Sequence, residues 1–428
     1  MQAMNDSGIE WIGQIPQEWK VVLLSSIFNE HKQKNTDLLC SNLLSLSYGK
    51  IIKKNISTAD GLLPVSFEGY NIVNKNDIVL RLTDLQNDQR SLRTGLVTEK
   101  IGIITSAYVT LRLYASNIAS AKYMHYFLYA FDISKGFYGM GDGVRQSLNY
   151  DGCKKIQLLF PPLPEQQRIA DYLDKQCSIM DKLAEILQQQ IEKLKEYKQS
   201  VITEAVTKGL DPNVAMKDSG VEWIGQIPEE WKIEKAKYTF AQRSERGNNI
   251  SLQLLSPTQN FGVIPQVKYD SLTGMKSVKL HEGIELHELK TIHKGDFCIS
   301  LRSFQGGFEY SIYEGVVSPA YRVFYATKQI VEKYYKYLFK SVAFIQKICS
   351  YTTSFRDGKA ISFESFANLL IPLPPLPEQQ RIADYLDKKC EEIDKLIKIK
   401  QEKIDKLSEY KKSLIYECVT GKREVAHE

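Results

Sequence analysis

A chain of 428 residues is too long for one ordinary domain and suits two to four. With 43% hydrophobic and 25% charged residues it is neither globally disordered nor collagen-like, and without a run of about 18 apolar residues no membrane span is expected. Lys+Arg 56 against Asp+Glu 51 gives +5, a mildly basic balance that permits a nucleic-acid partner without demanding one.

The first ten residues are polar and carry no signal-peptide core. The seven cysteines, an odd count without a CxxC pair, fit a reducing cytosol better than a disulfide framework. Asp6–Trp19 then reads DSGIEWIGQIPQEW. Its Trp11, Pro16 and Trp19 suit a clamp buried against a sheet or helix end better than a ligand site. Glu18-Trp19-Lys20 superficially matches the ExK of metal-dependent nucleases, but no Pro-Asp partner stands upstream at a suitable distance.

Lys20–Phe160 reads as mixed α/β. A turn at Asn76-Asp77 opens one strand, and Gly102-Ile-Ile-Thr-Ser-Ala-Tyr reads as another strand and turn. A helix over about Ile118–Ile133 carries Tyr and Phe on one face, expected in the core. Polar loops hold side chains able to bond base edges and phosphates: Tyr48, Lys50 and Lys53, then Arg81, Gln86, Arg90 and Arg93, then Arg145.

Pro161–Lys175, PPLPEQQRIADYLDK, begins with prolines that cannot continue into a helix interior, and Glu165 follows in a first helical turn. Met180, Leu183, Leu187, Leu194, Tyr197 and Val201 then give a heptad seam that skips Gln190. A helix from Glu165 to Thr207 would run on the order of 60 Å, too long to stand alone with an apolar seam in water. Gly209-Leu210-Asp211-Pro212 ends it.

The chain then begins again. Asp218–Trp231, DSGVEWIGQIPEEW, matches the first block at 12 of 14 positions. Lys232–Leu373 has 142 residues against 141 in Lys20–Phe160 and almost no identity with it. Strands are expected from Asp296 and from Gly315, and a helix over about Lys328–Ser350. The polar candidates of this half are Arg243, Gln259, Arg302, Gln305, Arg356 and Lys359. Pro374–Lys388 repeats Pro161–Lys175 without a change, and Ile393, Leu396, Leu407, Tyr410 and Leu414 form the second seam. Drift after duplication spreads over a whole unit. Near-identical ends around unrelated middles instead describe two modules doing different versions of one task. The two helices are each other's obvious partners, and antiparallel pairing would put the modules at opposite ends.

No P-loop, no Gly-rich dinucleotide turn, no Asn/Asp-Pro-Pro-Tyr/Phe, no G-x-S-x-G and no H-E-x-x-H is present. His281, His287 and His293 are evenly spaced, but along a strand they would lie about 20 Å apart. No metal site and no catalytic residue is expected.

Trp11-Ile-Gly-x-Ile-Pro-x-x-Trp with its copy from Trp223, and Leu163-Pro-x-Gln-Gln-Arg-Ile-Ala with its copy from Leu376, resemble the specificity subunit of type I restriction–modification systems over the whole chain. The resemblance implies target recognition domains at 1–160 and 213–373 and conserved spacer helices at 161–212 and 374–428. These helices would pair as an antiparallel coiled coil with pseudo-two-fold symmetry. Each module would read one half of a split, asymmetric sequence in double-stranded DNA, in the cytoplasm. Two methyltransferase subunits would dock on the conserved regions, and restriction/translocase subunits could join. The chain itself would be non-catalytic and hold no cofactor; S-adenosylmethionine, ATP and Mg would belong to the partners. A competing reading is a protein–protein scaffold of two unlike modules on a coiled-coil spacer.

Overall fold

The computed structural model describes residues 3–55, 66–86, 88, 91–141, 147–247, 252–274, 286–299, 307–351 and 361–426. Packing divides the chain into two units, Met1–Gln188 with Glu402–Glu428, and Gln189–Gln401. The long helices span Leu163–Lys208 and Leu376–Val419, so each unit contains one module, the start of one helix and the end of the other.

In the first unit, an antiparallel sheet runs in the order Thr94–Leu96, Ile78–Leu80, Val109–Leu113, Phe28–Glu30. Ile78, Val79 and Leu80 are wholly buried, the pattern of a central strand covered on both faces. In the second unit the order is Phe308–Tyr310, Phe297–Ile299, Arg322–Ala326, Phe240–Gln242. Each unit adds a hairpin, Leu44–Ser47 with Lys50–Lys53 and Leu255–Thr258 with Gly262–Pro265. Each also closes with a ladder between the two ends of its variable middle, Lys20–Leu23 with Gln157–Phe160 and Lys232–Lys235 with Leu370–Leu373. The unrelated middles therefore share one fold.

The aromatic helix of the first unit covers Ala121–Ile133, with Tyr123, Phe127 and Phe131 in the core. Its expected counterpart is two helices, Glu332–Leu338 and Val342–Ser350. The break falls where the buried Ser341 caps the second of them, its Oγ accepting from Phe344 N and donating to Leu338 O.

The invariant block is a socket for these helices. Gln166, fully buried, accepts from Ser120 N at 2.9 Å and donates to Pro161 O at 2.8 Å; Gln379 does the same with Val331 N and Pro374 O, both at 2.8 Å. Asp174 takes Lys122 at 2.6 Å and Tyr126 at 2.8 Å, while Asp387 takes Lys333 and Tyr337, both at 2.6 Å. Burial of Asp387 opposes ionisation, but the bonds from Lys333 and Tyr337 together hold its carboxyl below the usual range. The helix ends complete each unit: Tyr123 Oη donates to Val419 O and Tyr334 Oη to Val206 O. The tryptophan block is the expected clamp. Trp19 Nε1 donates to Glu165 Oε2 at 3.0 Å, and Trp19 meets Tyr123 edge-on as Trp231 meets Tyr334. Gly421, at φ +73°, lies so close that a Cβ there would stand 2.3 Å from Pro16 Cδ.

The seam differs from its expected phase. Met180, Leu187, Leu194, Val201, Ile393, Leu407 and Leu414 do face inward, but Leu183, Tyr197, Leu396 and Tyr410 are 43 to 50% exposed. The companion row lies one residue later, at Cys177, Ala184, Ile191, Lys198 and Ala205. With Leu173 this gives an unbroken alternation of four- and three-residue steps. The second helix repeats it at Leu386, Cys390, Ile393, Ile397, Lys400, Ile404, Leu407, Lys411, Leu414 and Cys418. Large apolar side chains at 183 and 197 suggest the wrong phase, because the true positions carry a small alanine and a lysine. The lysines are tolerated because the partner helix supplies acceptors. In the first unit Lys411 reaches Asp181 at 2.6 Å; in the second Lys198 reaches Asp394 at 2.7 Å and Lys400 reaches Gln190 at 2.6 Å. In the second unit the pairs at 190–400 and 198–394 run in opposite directions along the two segments, so these segments are antiparallel.

Replacing Gln166 with Leu leaves two backbone groups unpaired in a buried site. A loss of roughly 2 kcal/mol or more is expected, confined to the first unit. Gln379→Leu should do the same to the second. Urea unfolding followed with a tryptophan probe in each unit checks both.

Candidate nucleic-acid interface

In the first unit, Tyr48 and Gly49 form the turn of the hairpin, with φ of +45° and +77°, the signature of a tight two-residue connection. Tyr48 is 81% exposed. A Cβ on Gly49 would sit 3.1 Å from Leu92 Cδ1, so the tip lies against the loop that precedes strand Thr94–Leu96. The structure thus brings Tyr48 and Lys50 beside the loop that carries Gln86, which is exposed, and Arg81, which is one-third exposed. Lys53 lies at the far end of its strand, with Glu99 at 3.0 Å. In the second unit Gln259 is exposed at the tip of the equivalent hairpin, next to the half-exposed Phe261.

Two candidates belong to the framework. Arg93 is fully buried, and its guanidinium binds the backbone carbonyls of Arg81, Thr83, Asp84 and Asp88. Arg243 grips the buried Asp296 with two bonds of 2.6 and 2.8 Å and lies over the Tyr325 ring at 4.5 Å. Arg112 holds the equivalent Asp77 with two bonds in the first unit, at 2.8 and 2.7 Å, but from a different strand, so the aspartate clamp closes both sheets with an arginine drawn from different positions. Both corrections have one cause: a polar residue next to a strand end looks alike in sequence whether it faces solvent or closes the sheet.

The described candidate cations that face outward have carboxylate neighbours, Lys50 with Asp181 at 2.9 Å, Lys53 with Glu99, and Arg81 with Asp88 at 3.4 Å. Exposed pairs of this kind contribute only about 0–1 kcal/mol. A phosphate can therefore displace the carboxylate, which the buried Arg243–Asp296 and Arg112–Asp77 pairs would resist. Arg90, Arg145, Arg302, Gln305, Arg356 and Lys359 lie outside the described residues, as does His281. His293 stands between Glu245 at 2.9 Å and Glu314 at 3.1 Å. Among the described residues no group of three or more His, Cys, Asp or Glu side chains is placed to hold a metal, and the cysteines are free thiols.

The hairpin tip also walls a cleft of about 830 Å³ within the first unit, lined by His125, Tyr126, Tyr129, Asp174, Cys177 and Asp181. The Nε2 of His125 is buried without a partner, and burial pushes the ring down to about 4. The sequence alone assigns no role to this residue, and shows the socket aspartates only as part of the repeated block. A signal for the socket exists: Lys122-Tyr123-x-x-Tyr126 and Lys333-Tyr334-x-x-Tyr337 repeat a short pattern inside otherwise unrelated middles.

The profile of the family described as type I restriction modification DNA specificity domain matches twice, at residues 16–196 and 229–409. The chain belongs to this family. It is similar to the type I restriction enzyme MjaVIII specificity subunit of Methanocaldococcus jannaschii, at 26% identity over 96% of this chain and 94% of the relative. It is also similar to the putative type I restriction enzyme MjaX specificity subunit of that organism, at 24% identity over 96% and 95%. Two solved structures share the fold, each at 14% identity. One belongs to work on complex assembly and conformational transition of the type I R-M system, with a TM-score of 0.66 over 95% of this chain and 98% of that one. The other is the HsdS subunit from Thermoanaerobacter tengcongensis, with a TM-score of 0.50 over 96% and 98%. Each specificity-domain match begins inside a tryptophan block and ends within a long helix, so it spans module and socket together.

Two outcomes follow for these domains. Asp77→Asn strips the charge from a buried bidentate pair, and the first unit should lose on the order of 3 kcal/mol in urea unfolding. His125 is held neutral by the fold, with its pKa below the unfolded value of about 6.5. The stability this gives is complete above about pH 6.5 and declines as pH falls towards about 4. His125→Gln should flatten the melting temperature of the first unit over that window.

Proposed function

We propose that this chain is the DNA sequence-recognition subunit of a type I restriction–modification complex. Residues 1–160 and 213–373 would be its two target recognition domains, and 161–212 and 374–428 the conserved spacers between them. The observation that carries the reading is a single docking socket used twice, Gln166 with Asp174 and Gln379 with Asp387, beneath modules that share a fold but not a sequence. Identical ends suit one partner bound twice; unlike loops suit two different half-sites. Leu183 and Leu396, and likewise Ile186 and Ile399, are apolar, exposed and equivalent in the two copies, which favours docking of two copies of a methyltransferase subunit.

Tyr48, Lys50, Lys53, Arg81 and Gln86 would contact DNA in one module, with Arg90 and Arg145, and Gln259, Arg302, Gln305, Arg356 and Lys359 in the other. One module reads few bases, because each mismatch costs only about 1–3 kcal/mol; tying two modules adds their discrimination. The chain would perform no chemistry. S-adenosylmethionine would bind the methyltransferase subunits, ATP and Mg the restriction/translocase subunits, and the complex would work in the cytoplasm. The charge of +5 is modest for a DNA binder, which agrees with partners that supply much of the phosphate contact.

The purified chain should transfer no methyl group from S-adenosylmethionine to DNA. With its methyltransferase subunit it should bind DNA with a salt-dependent affinity, an outcome a protein–protein scaffold would not give. In mapped methylated adenines, exchange of Lys20–Phe160 for another module should change one half-site only. A heptad inserted between Met180 and Val201 should alter the gap and neither half-site, provided the helices stay paired. A change in both half-sites on module exchange would sink the reading.

A further inference from the structure

Arg93 is the most completely engaged cation among the described residues of the first module. Its Nη1 donates to Arg81 O at 3.2 Å and Thr83 O at 2.8 Å. Its Nη2 donates to Asp84 O at 3.3 Å and to Asp88 O, and its Nε to Tyr138 Oη at 3.3 Å. The guanidinium carbon lies 5.4 Å from the centre of the Tyr138 ring, and Tyr138 Oη donates to Asp88 O as well. The residue's own backbone N donates to the buried Asp132 at 2.6 Å, which ties the end of the loop to the aromatic helix. Among the described residues no carboxylate bonds the guanidinium, so its charge sits in a shell of peptide dipoles.

Such an arrangement is a poor way to gain stability. A charge out of water costs several kcal/mol unless every donor is satisfied, and a well-packed apolar residue is often as stable. What the arginine does uniquely is shape. Its planar fork turns four carbonyls of the segment 81–88 towards one point, beyond the reach of a lysine with three donors on a single atom. With the backbone turned inward, Gln86 is left exposed, and Asp84 is held at φ +56°. Asp88 closes the loop from the other side, accepting from Ser91 N at 3.1 Å and Ser91 Oγ at 2.6 Å and pairing with Arg81. In the second unit the strand register places Gly307 where Arg93 stands.

We propose that Arg93 is a positioning residue for sequence recognition by the first module, acting as the template on which residues 81–86 and 88 are set in their reading conformation. This rests on the DNA-recognition reading above. It makes the specificity of one half-site depend on a buried side chain that touches no DNA.

The test uses the full chain produced with its methyltransferase subunit, with methylated adenines mapped genome-wide and unfolding followed by calorimetry. The wild type should give a two-part motif. Arg93→Lys keeps the charge and loses the fork. It should lower discrimination in one half of the motif by about tenfold or more at one or more bases. The other half should stay unchanged, and the first unit should still unfold cooperatively. A variant that folds and reads both halves as the wild type does would overturn the proposal while leaving the DNA reading intact. If the lysine variant fails to fold, Tyr138→Phe decides. It removes the Nε acceptor and keeps the ring, and relaxation of the same half supports the template whereas an unchanged motif refutes it. A wild type that directs methylation to no two-part sequence would overturn the underlying function instead.

Discussion

Whatever differs between the two modules depends on a contact that does not differ. In each unit a lysine and a tyrosine one helical turn apart close on a single aspartate of the long helix, while a buried glutamine stitches the helix start to the module. The choice of side chains is physical. A glutamine amide can accept from one backbone N–H and donate to one carbonyl, so it joins two irregular segments with no charge to desolvate. The aspartate lies at the rim, where Lys122 and Lys333 are about half exposed. Pairs of that kind contribute little stability, but they fix the rotation of the helix that enters the core. Such a socket constrains only Lys122, Tyr123 and Tyr126 or their equivalents, and leaves the far side of the module free to vary.

That division explains what the amino-acid sequence reveals and what it hides. The duplication, the clamp tryptophans and the long helices are plain, because exact repetition and proline-to-helix transitions are local signals. The shared fold of the middles is visible only at its strand starts, since Val, Ile and Phe substitute freely in a buried strand as long as volume is kept. The seam is legible in period and misread in phase, because exposed Leu183 and Tyr197 outrank Ala184 and Lys198 on any apolar count. At the candidate interface, Tyr48 and Gln86 face outward and Arg93 and Arg243 do not. Nothing in the chemistry of an isolated arginine tells a phosphate ligand from a carbonyl cap, and only tertiary packing separates them.

The charge distribution bears on recognition in the same way. Among the described candidates, Lys50 and Lys53 already stand beside part-exposed carboxylates, so neither offers a duplex an unpaired charge. Replacing a weak intramolecular pair by a phosphate changes little in net energy. Binding would then depend on shape and on the partners' charge, and discrimination on a few well-placed side chains. A rigid loop serves that need better than a basic one. A loop that orders only on contact has to offset its own conformational entropy, roughly 1–2 kcal/mol per residue, which is comparable to the discrimination available from a base.

The polar residues in the helix seams act on specificity of a different kind. A seam of Leu and Ile alone would tolerate a slip of one heptad, since each step presents a similar surface. Lys198 and Lys411 mark the observed register but do not by themselves exclude that slip. In register, Lys198 meets Asp394 and Lys411 meets Asp181, and these residues are equivalent in the duplicated blocks. One heptad out of register, Lys198 would face Asp387 or Gln401 and Lys411 would face Asp174 or Gln188, each still an acceptor, but Asp387 and Asp174 are already bonded by a lysine and a tyrosine of their own modules. These part-exposed pairs therefore contribute little to the stability of the helix pair, and it is the socket aspartates, already taken by the modules, that stand against a slip in one direction.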